Sequence, residues 1–264
     1  MYAIHPGAYA APMEQADRVS IPGDLAALAR RVRRVAVLTG AGISAESGVP
    51  TFRDAQTGIW ARFDPMQLAT PEAFDRDPER VWDWYAWRRQ LVARAAPNAG
   101  HRALAQWERS GVHVTVATQN VDGLHRRAGS SRVITLHGDI TRTRCSARCG
   151  EVTGWESDSR RPPRCPICDA PLRPGVVWFG EMLPAGALEA AAEAVEQADL
   201  VLSVGTSSLV QPAASLPEVA LERAIPVVEI NPEPTPLSPR AAWRLDGTAA
   251  TCLPALVERA LEKS

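Results

Sequence analysis

The chain has 264 residues, 45% of them hydrophobic and 22% charged, with 29 Lys and Arg against 30 Asp and Glu for a net charge of -1. That length suits one substantial domain with insertions, and the balance of charge excludes partners held by bulk electrostatics, whether nucleic acid or an anionic membrane surface. No basic segment followed by an apolar run opens the chain, and no apolar stretch reaches the roughly 18 residues needed to span a bilayer, so it reads as a cytoplasmic protein with reduced cysteines.

Residues 1–20 mix Pro, Gly, Ala and Tyr without periodicity and read as a flexible leader. Asp24 is placed to cap a helix with an apolar stripe of Leu25, Leu28, Ala29 and Val32, and residues 35–38 then form a buried strand that ends in glycines. Apolar runs at 112–117 and 133–136 are further strands. Near the C-terminus a helix through Leu188, Ala191, Ala192 and Val195 leads into a strand at 200–204, a helix at 211–223 and a strand at 226–230. Short continuous strands interleaved with helices predict a doubly wound α/β domain with a parallel sheet covered on both faces. Two stretches interrupt that pattern: a Trp- and Arg-rich helical insertion at 55–110 and a cysteine-bearing segment at 141–175. The main domain is then assembled from 21–54, 111–140 and 176–264.

Sheets of this kind bind ligands beyond the carboxyl ends of their strands, so the residues that follow each strand carry the chemistry. Gly40-Ala41-Gly42-Ile43-Ser44 follows the first strand, and glycine there lets backbone amides approach a phosphate. The same turn would also serve as a plain tight connection, and the third glycine of the usual dinucleotide fingerprint is missing. Residues 46–54, from Glu46 through Thr51, Phe52 and Arg53, have the make-up of a lid over a phosphate-bearing ligand, with Arg53 reaching a phosphate or a carbonyl and Phe52 shielding the reacting carbon. Gln119, Asn120 and Asp122 place two amides and a carboxylate at one strand end, suited to a carboxamide and a ribose hydroxyl; an ordinary polar turn with Asp122 as a helix cap is the alternative. His137 leaves the strand at 133–136 at the ligand edge, where an imidazole can transfer protons near neutral pH.

Cys145-x3-Cys149 and Cys165-x2-Cys168 form two close thiolate pairs, the donor set of a tetrahedral four-sulfur zinc site with no position open to water, and hence a structural metal. Cys252 is left over and reads as a buried free thiol. The extended run from Pro174 through Val177, Trp178, Phe179 and Gly180 would either offer a backbone edge to a peptide or be a buried strand.

Taken together, these segments resemble the sirtuins, and the match runs from about residue 22 to the C-terminus in the family's order: GAGIS with AESGVPTFRD, QNVDGLH at 119–125, LHG at 136–138, the four cysteines, VVWFGE at 176–181, GTS at 205–207 and INPE at 230–233. The resemblance implies a Rossmann-like domain and an inserted zinc module that together catalyse NAD-dependent removal of acyl groups from protein lysines. NAD would bind along Gly40, Ala41, Gly42, Ser44, Glu46, Thr51, Phe52, Arg53 and Trp60, with Gln119, Asn120 and Asp122 at its nicotinamide end. Gly205, Thr206, Ser207, Asn231, Pro232, Glu233 and Ala249 would lie around the adenosine. The acyl-lysine would pair with backbone near Val121, Val177, Trp178, Phe179 and Gly180. Its acyl oxygen would attack the ribose as nicotinamide leaves, His137 would take a proton from a ribose hydroxyl, and water would complete release of O-acyl-ADP-ribose. Gly175 departs from the larger polar residue typical of the family before VVWFG, which bears on the shape of the peptide groove.

On the helix expected around residues 81–91, Tyr85 and Arg88 are three positions apart on one face. By residue type alone they are either a tyrosine packed on tryptophans beside a solvated arginine, or a phenol and a guanidinium fork that bind a carboxylate. Tyr-x-x-Arg after Ala69-Thr70-Pro71 resembles the class III sirtuins, which implies removal of succinyl and malonyl groups, alongside acetyl, in a pocket where the small Ala69 leaves room; Arg89 is the weaker candidate. Two rival functions are a non-enzymatic zinc-ribbon interaction module and ADP-ribosyl transfer to protein. The oligomeric state and the protein substrates are not encoded in any motif.

Overall fold

A computed structural model of the chain describes residues 19–49, 65–157 and 159–262. It opens with α1 (Gly23–Ala29), which buries Leu25, Ala26 and Ala29 and leads into β1 (Arg34–Thr39). Asp24 does not cap this helix: Pro22 is the N-cap, and Asp24 lies inside the first turn. There its Oδ1 accepts from Leu25 N at 2.8 Å and its Oδ2 from Trp243 Nε1 at 3.2 Å, a position where the helix dipole favours a carboxylate.

Three helices follow, α2 (Pro71–Arg76), α3 (Pro78–Arg94) and α4 (Ala99–Arg109). Each of the first two has proline in its first turn, where the missing N–H costs nothing. Thr70 and Asp77 supply the caps, accepting from Ala73 N at 3.1 Å and Arg80 N at 3.0 Å. α3 buries Val81, Trp82, Tyr85 and Val92, a spacing that keeps them on adjoining faces of one helix. α4 sends Ala103, Leu104 and Trp107 into the core under the sheet, so this last helix of the 55–110 stretch packs with the main domain.

The chain then runs through β2 (His113–Thr118), α5 (Leu124–Ala128), β3 (Val133–Thr135), β4 (Gly138–Cys145) and β5 (Leu172–Val176). It finishes with α6 (Ala187–Glu196), β6 (Leu200–Val204), α7 (Leu216–Glu222), β7 (Val227–Ile230), β8 (Trp243–Leu245) and α8 (Ala249–Leu261). α7 is shorter than the 211–223 expected: Ala213–Ser215 form a 3-10 turn, and the α-helix begins only at Leu216, with Pro217 in its first turn. β8 has no apolar run to announce it.

Six strands form one parallel sheet in the order β3-β2-β1-β6-β7-β8. The order reverses between β1 and β6, which is the doubly wound arrangement with its switch point at the end of β1. Side chains alternate across the sheet: Val35 and Val37 pack with α1, α4 and α8, while Ala36 and Leu38 pack with α6 and α7. β4 and β5 form a separate antiparallel pair, whose far end carries the cysteines. No described helix is long and apolar enough to cross a membrane.

Candidate active site

Thr39, Thr118 and Val204 stand level across the ends of β1, β2 and β6, so the loops after these strands meet at one edge. The β1 loop is held by Gly40 N donating to Val204 O at 3.1 Å and Gly42 N donating to Gly205 O at 2.9 Å. It continues into the 3-10 turn Ala41–Ser47. Ser44, fully buried, donates its hydroxyl to Asp122 Oδ2 at 2.7 Å, and Asn120 Nδ2 donates to Ser44 Oγ at 3.1 Å and to Gly40 O at 3.0 Å. The loops after β1 and β2 are thereby joined through predicted residues of both. Burial pushes the Asp122 carboxyl up, against hydrogen bonds from Leu124 N and Ser44 that pull it down. Two carboxylate hydrogen bonds at a desolvated position make Asp122 a rigid, preorganised acceptor.

His137 emerges between β3 and β4. Its Nδ1 lies 3.1 Å from Gln119 O, and because a carbonyl can only accept, Nδ1 carries the proton and Nε2 keeps its lone pair. Burial lowers its pKa, partly offset by that hydrogen bond, so the ring is neutral and basic at Nε2 at neutral pH. Its own carbonyl accepts from Val177 N at 2.9 Å, which ties His137 to the segment after β5.

Two histidines outside the predicted set belong to the same edge. His125 Nε2 is 3.0 Å from Thr39 Oγ1, and the ring centroids of His101 and His125 are 4.9 Å apart. Burial holds His101 down to about 4 and His125 down to about 3, with Arg102 adding to the first and His101 to the second. His101 also sits 3.5 Å from Ser44 Oγ and closes a reciprocal cap with Asn98, whose Nδ2 reaches Ile43 O at 2.7 Å. The Asn-x-x-His spacing at a helix start was the available sign for His101; for His125 it was membership of the 119–125 motif.

On the other side of the edge, Asn231 Nδ2 donates to Thr206 O at 2.8 Å, and Thr206 Oγ1 is 2.9 Å from Ser203 Oγ. Pro232 and Glu233 are exposed, and Ser207 is partly so. Glu46 Oε2 accepts from Ala250 N at 3.2 Å beside the buried Ala249, at the start of α8. Thr51, Phe52, Arg53 and Trp60 lie outside the described residues.

The predicted substrate residues meet in a third apolar cluster. Ala69, Tyr85 and Trp178 are buried together with Phe74, Ile140 and Val176, and Val121 packs against them. Phe179 N donates to Ala69 O at 2.9 Å, while the Phe179 side chain and Gly180 are exposed. The run 174–180 is thus divided: its first part belongs to β5, and Val177 onward leaves the strand. Arg88 lies with its guanidinium 4.8 Å from the Trp84 ring and 5.5 Å from the Tyr85 ring. Arg89 turns away toward the cysteine segment, 4.4 Å from the Trp82 ring and 5.3 Å from that of Trp155, with Nη1 3.3 Å from Thr143 Oγ1. Two further residues outside the predicted set brace this region: buried Arg173 pairs with Glu181, which also accepts from Trp178 N at 2.8 Å. Arg173 carries no local sequence signal.

The sulfurs of Cys145, Cys149, Cys165 and Cys168 all lie within 4.8 Å of one another. Cys168 is 3.5 Å from Cys145 and 3.4 Å from Cys149, close to the roughly 3.8 Å edge of a tetrahedron with Zn–S bonds of about 2.3 Å. Hydrogen bonds with Cys168 and Cys145 push the Cys149 thiol up to about 12, a crowding of thiols that a divalent cation would reverse. The donor set fits one structural zinc. Cys252 is buried in the sheet core as a free thiol.

A family model described as the Sir2 family matches residues 40–212. A protein of Mycobacterium leprae named NAD-dependent protein deacylase is 52% identical over 233 residues, covering 86% of this chain and 97% of that one. Among solved structures, a Sir2 homologue in complex with NAD superposes with a TM-score of 0.84 at 47% identity, covering 91% of this chain and 94% of that chain. A complex of Sir2 with a p53 peptide and NAD+ gives a TM-score of 0.79 at 32% identity, with 89% and 97% covered.

Proposed function

We propose, from the premise that this chain belongs to the Sir2 family, that it uses NAD to remove acyl groups from protein lysines and that its acyl pocket takes acidic acyl groups, succinyl and malonyl, as well as acetyl. The observation that carries the catalytic reading is the hydrogen bond from His137 Nδ1 to Gln119 O. It leaves a neutral imidazole with one basic nitrogen at the sheet edge where a dinucleotide would lie.

NAD, when bound, supplies an electrophilic ribose carbon with nicotinamide as its leaving group, and the acyl group ends on ADP-ribose. This chain's residues do the rest. The glycine-lined loop from Gly40 with Gly205 accommodates phosphates at close approach, and Asp122 and Asn120, already oriented by Ser44, would hold the nicotinamide end. Asn231 and Thr206 would shape the adenosine side. His137 Nε2 removes the proton from a ribose hydroxyl, and the resulting imidazolium stays oriented because its Nδ1–H still points at Gln119 O. Backbone near Val177 to Gly180 would take the acyl-lysine of a protein partner as an extended peptide. Four cysteines would hold zinc as a clasp for the β4–β5 module, away from the chemistry.

In this reading, 21–54, 111–140 and 176–264 make the NAD-binding unit, 141–175 the zinc module, and 55–110 the helical insertion whose α3 brings Tyr85 and Arg88 to the acyl pocket. The proximity of Arg88 to Tyr85, and of Tyr85 to Ala69 and Trp178, supports an acidic acyl preference, since a guanidinium binds a carboxylate through charge-assisted hydrogen bonds.

The test is a mass-spectrometric assay of one lysine peptide in succinylated and acetylated form, with and without NAD, on the unchanged enzyme, His137→Ala and Arg88→Met. NAD-dependent loss of both acyl groups that His137→Ala abolishes, with Arg88→Met lowering the succinyl-to-acetyl ratio, supports the whole reading. Deacetylation alone would withdraw the acidic preference, and turnover without NAD would overturn the catalytic assignment.

A further inference from the structure

We propose that Trp178 is a positioning residue for acyl selectivity: its indole N–H, 3.0 Å from Tyr85 Oη, occupies the phenolic oxygen as an acceptor and so turns the Tyr85 proton toward the acyl chain. This inference rests on the reading of Tyr85 and Arg88 given above.

Donor inventory carries the argument. An indole nitrogen can only donate, and so can a guanidinium. Tyr85 Oη therefore accepts from Trp178, and its other side-chain hydrogen bond, to Arg88, must also be one in which the phenol accepts. The polar side chains beside this oxygen, Trp178 and Arg88, are thus both donor-only. What is left on the phenol is its proton, and among the described residues no protein group accepts it. Burial raises the phenol's pKa, so that proton stays in place at neutral pH. An oxygen-bearing acyl end is the partner this arrangement lacks.

The indole is itself held fixed. Trp178 and Tyr85 are 3% and 2% exposed, so their hydrogen bond is shielded from competing water. The Arg173 guanidinium lies 3.3 Å from the centroid of the Trp178 ring, and the Phe74 ring centroid lies 5.3 Å from it. Arg173 is anchored in turn by Glu181, through Nη1 at 2.5 Å and Nη2 at 2.9 Å, and Glu181 also receives Trp178 N. An ion pair beside β5 thus sets the direction in which a hydroxyl on α3 is offered, across 93 positions of sequence. The pocket then presents hydrogen-bond donors from both Tyr85 and Arg88 to the acyl terminus, which suits a carboxylate and gives an acetyl methyl nothing to accept.

Trp178→Phe keeps an aromatic ring at the site and removes the N–H. Steady-state KM and kcat for matched succinyl and acetyl peptides are measured for the unchanged enzyme, Trp178→Phe, Tyr85→Phe and the double variant, with thermal melting to confirm that each is folded. The expected result is a rise in succinyl KM about tenfold larger than any rise in acetyl KM, the scale of one hydrogen bond to a charged group. In the Tyr85→Phe background the Trp178→Phe change should add no further selectivity loss, because its effect passes through the missing hydroxyl. Equal losses on both peptides, or an undiminished effect without the Tyr85 hydroxyl, would show a packing role and overturn the proposal. Failure of the unchanged enzyme to desuccinylate would remove the acyl reading along with it, whereas desuccinylation that depends on Arg88 and ignores Trp178→Phe would overturn the role of Trp178 alone.

Discussion

Gly42 and Gly205 are interlocked across the switch point of the sheet: a Cβ on Gly42 would stand 2.6 Å from Gly205 Cα, and one on Gly205 would stand 2.5 Å from Ile43 N. Gly205 also holds a φ of +60°, and its N–H reaches Ile230 O at 2.9 Å. The glycines after β1 are therefore needed for the approach of two protein loops, in addition to any approach of a ligand.

Gly205→Ala should destabilise the fold by about 3 kcal/mol, combining a left-handed backbone with overpacking against a rigid backbone neighbour. Urea unfolding measures it, with Gly23→Ala as the comparison because its Cβ meets nothing within 4 Å. Equal stability of the two variants would mean that the loops separate freely.

His137→Ala should lower kcat by roughly 10²- to 10⁴-fold, the range for loss of a general base, while leaving the melting temperature within a few degrees. An imidazole can act as a base only when neutral, and burial lowers the pKa of His137. The acidic limb of kcat/KM should accordingly fall below the value of about 6.5 for a free imidazole. A limb above that value would assign it to another group.

Buried His101 and His125 make stability fall in acid. Their folded pKa values, about 4 and about 3, are depressed below the unfolded value near 6.5, so on acidification the unfolded chain takes up protons first. The stabilisation is complete above about pH 6.5 and drains away as pH falls toward those folded values. Between pH 7 and pH 5 each histidine should cost roughly 2 kcal/mol, read from urea midpoints at the two pH values. His125→Gln, which can still hydrogen-bond Thr39, should remove about half of that fall; a slope unchanged by the substitution would mean that His125 is already solvated.

Metal analysis should find one zinc per chain, released by a strong chelator. Its loss, or Cys168→Ser, should lower the melting temperature by about 10 °C, the shift that a few kcal/mol produces in a chain of this size. Intact stability in the zinc-free protein would show that the β4–β5 pair and the Trp82, Trp155 and Arg89 stack hold the module without metal.

Much of this molecule is legible before folding. Five of the six parallel strands lie in runs rich in apolar residues, as a sheet covered on both faces favours, even though β6 and β7 also bury Ser203 and Glu229. The motif residues then fall at strand ends because that is where such runs stop. β8 escaped because Trp243–Leu245 carries Arg244 at its centre and so shows no apolar run; its place is decided by pairing with β7. Asp24 and the start of α7 were misplaced because helix ends depend on backbone angles that several residue types can satisfy.

By itself the sequence determined the donor types and their order: a four-thiol set, a glycine turn, a histidine and two amides after strands, and a phenol and a guanidinium three positions apart. Spacing and residue chemistry are local, and they are written in the chain. Only the tertiary structure decided which of these groups touch. Ser44 meets Asp122 across 78 positions, His101 stacks near His125, Arg89 turns to the zinc module while Arg88 stays by Tyr85, and Trp178 reaches Tyr85 across 93. Such contacts depend on how whole elements pack, since a hydrogen bond is made or lost over less than an ångström, a distance that no local pattern controls.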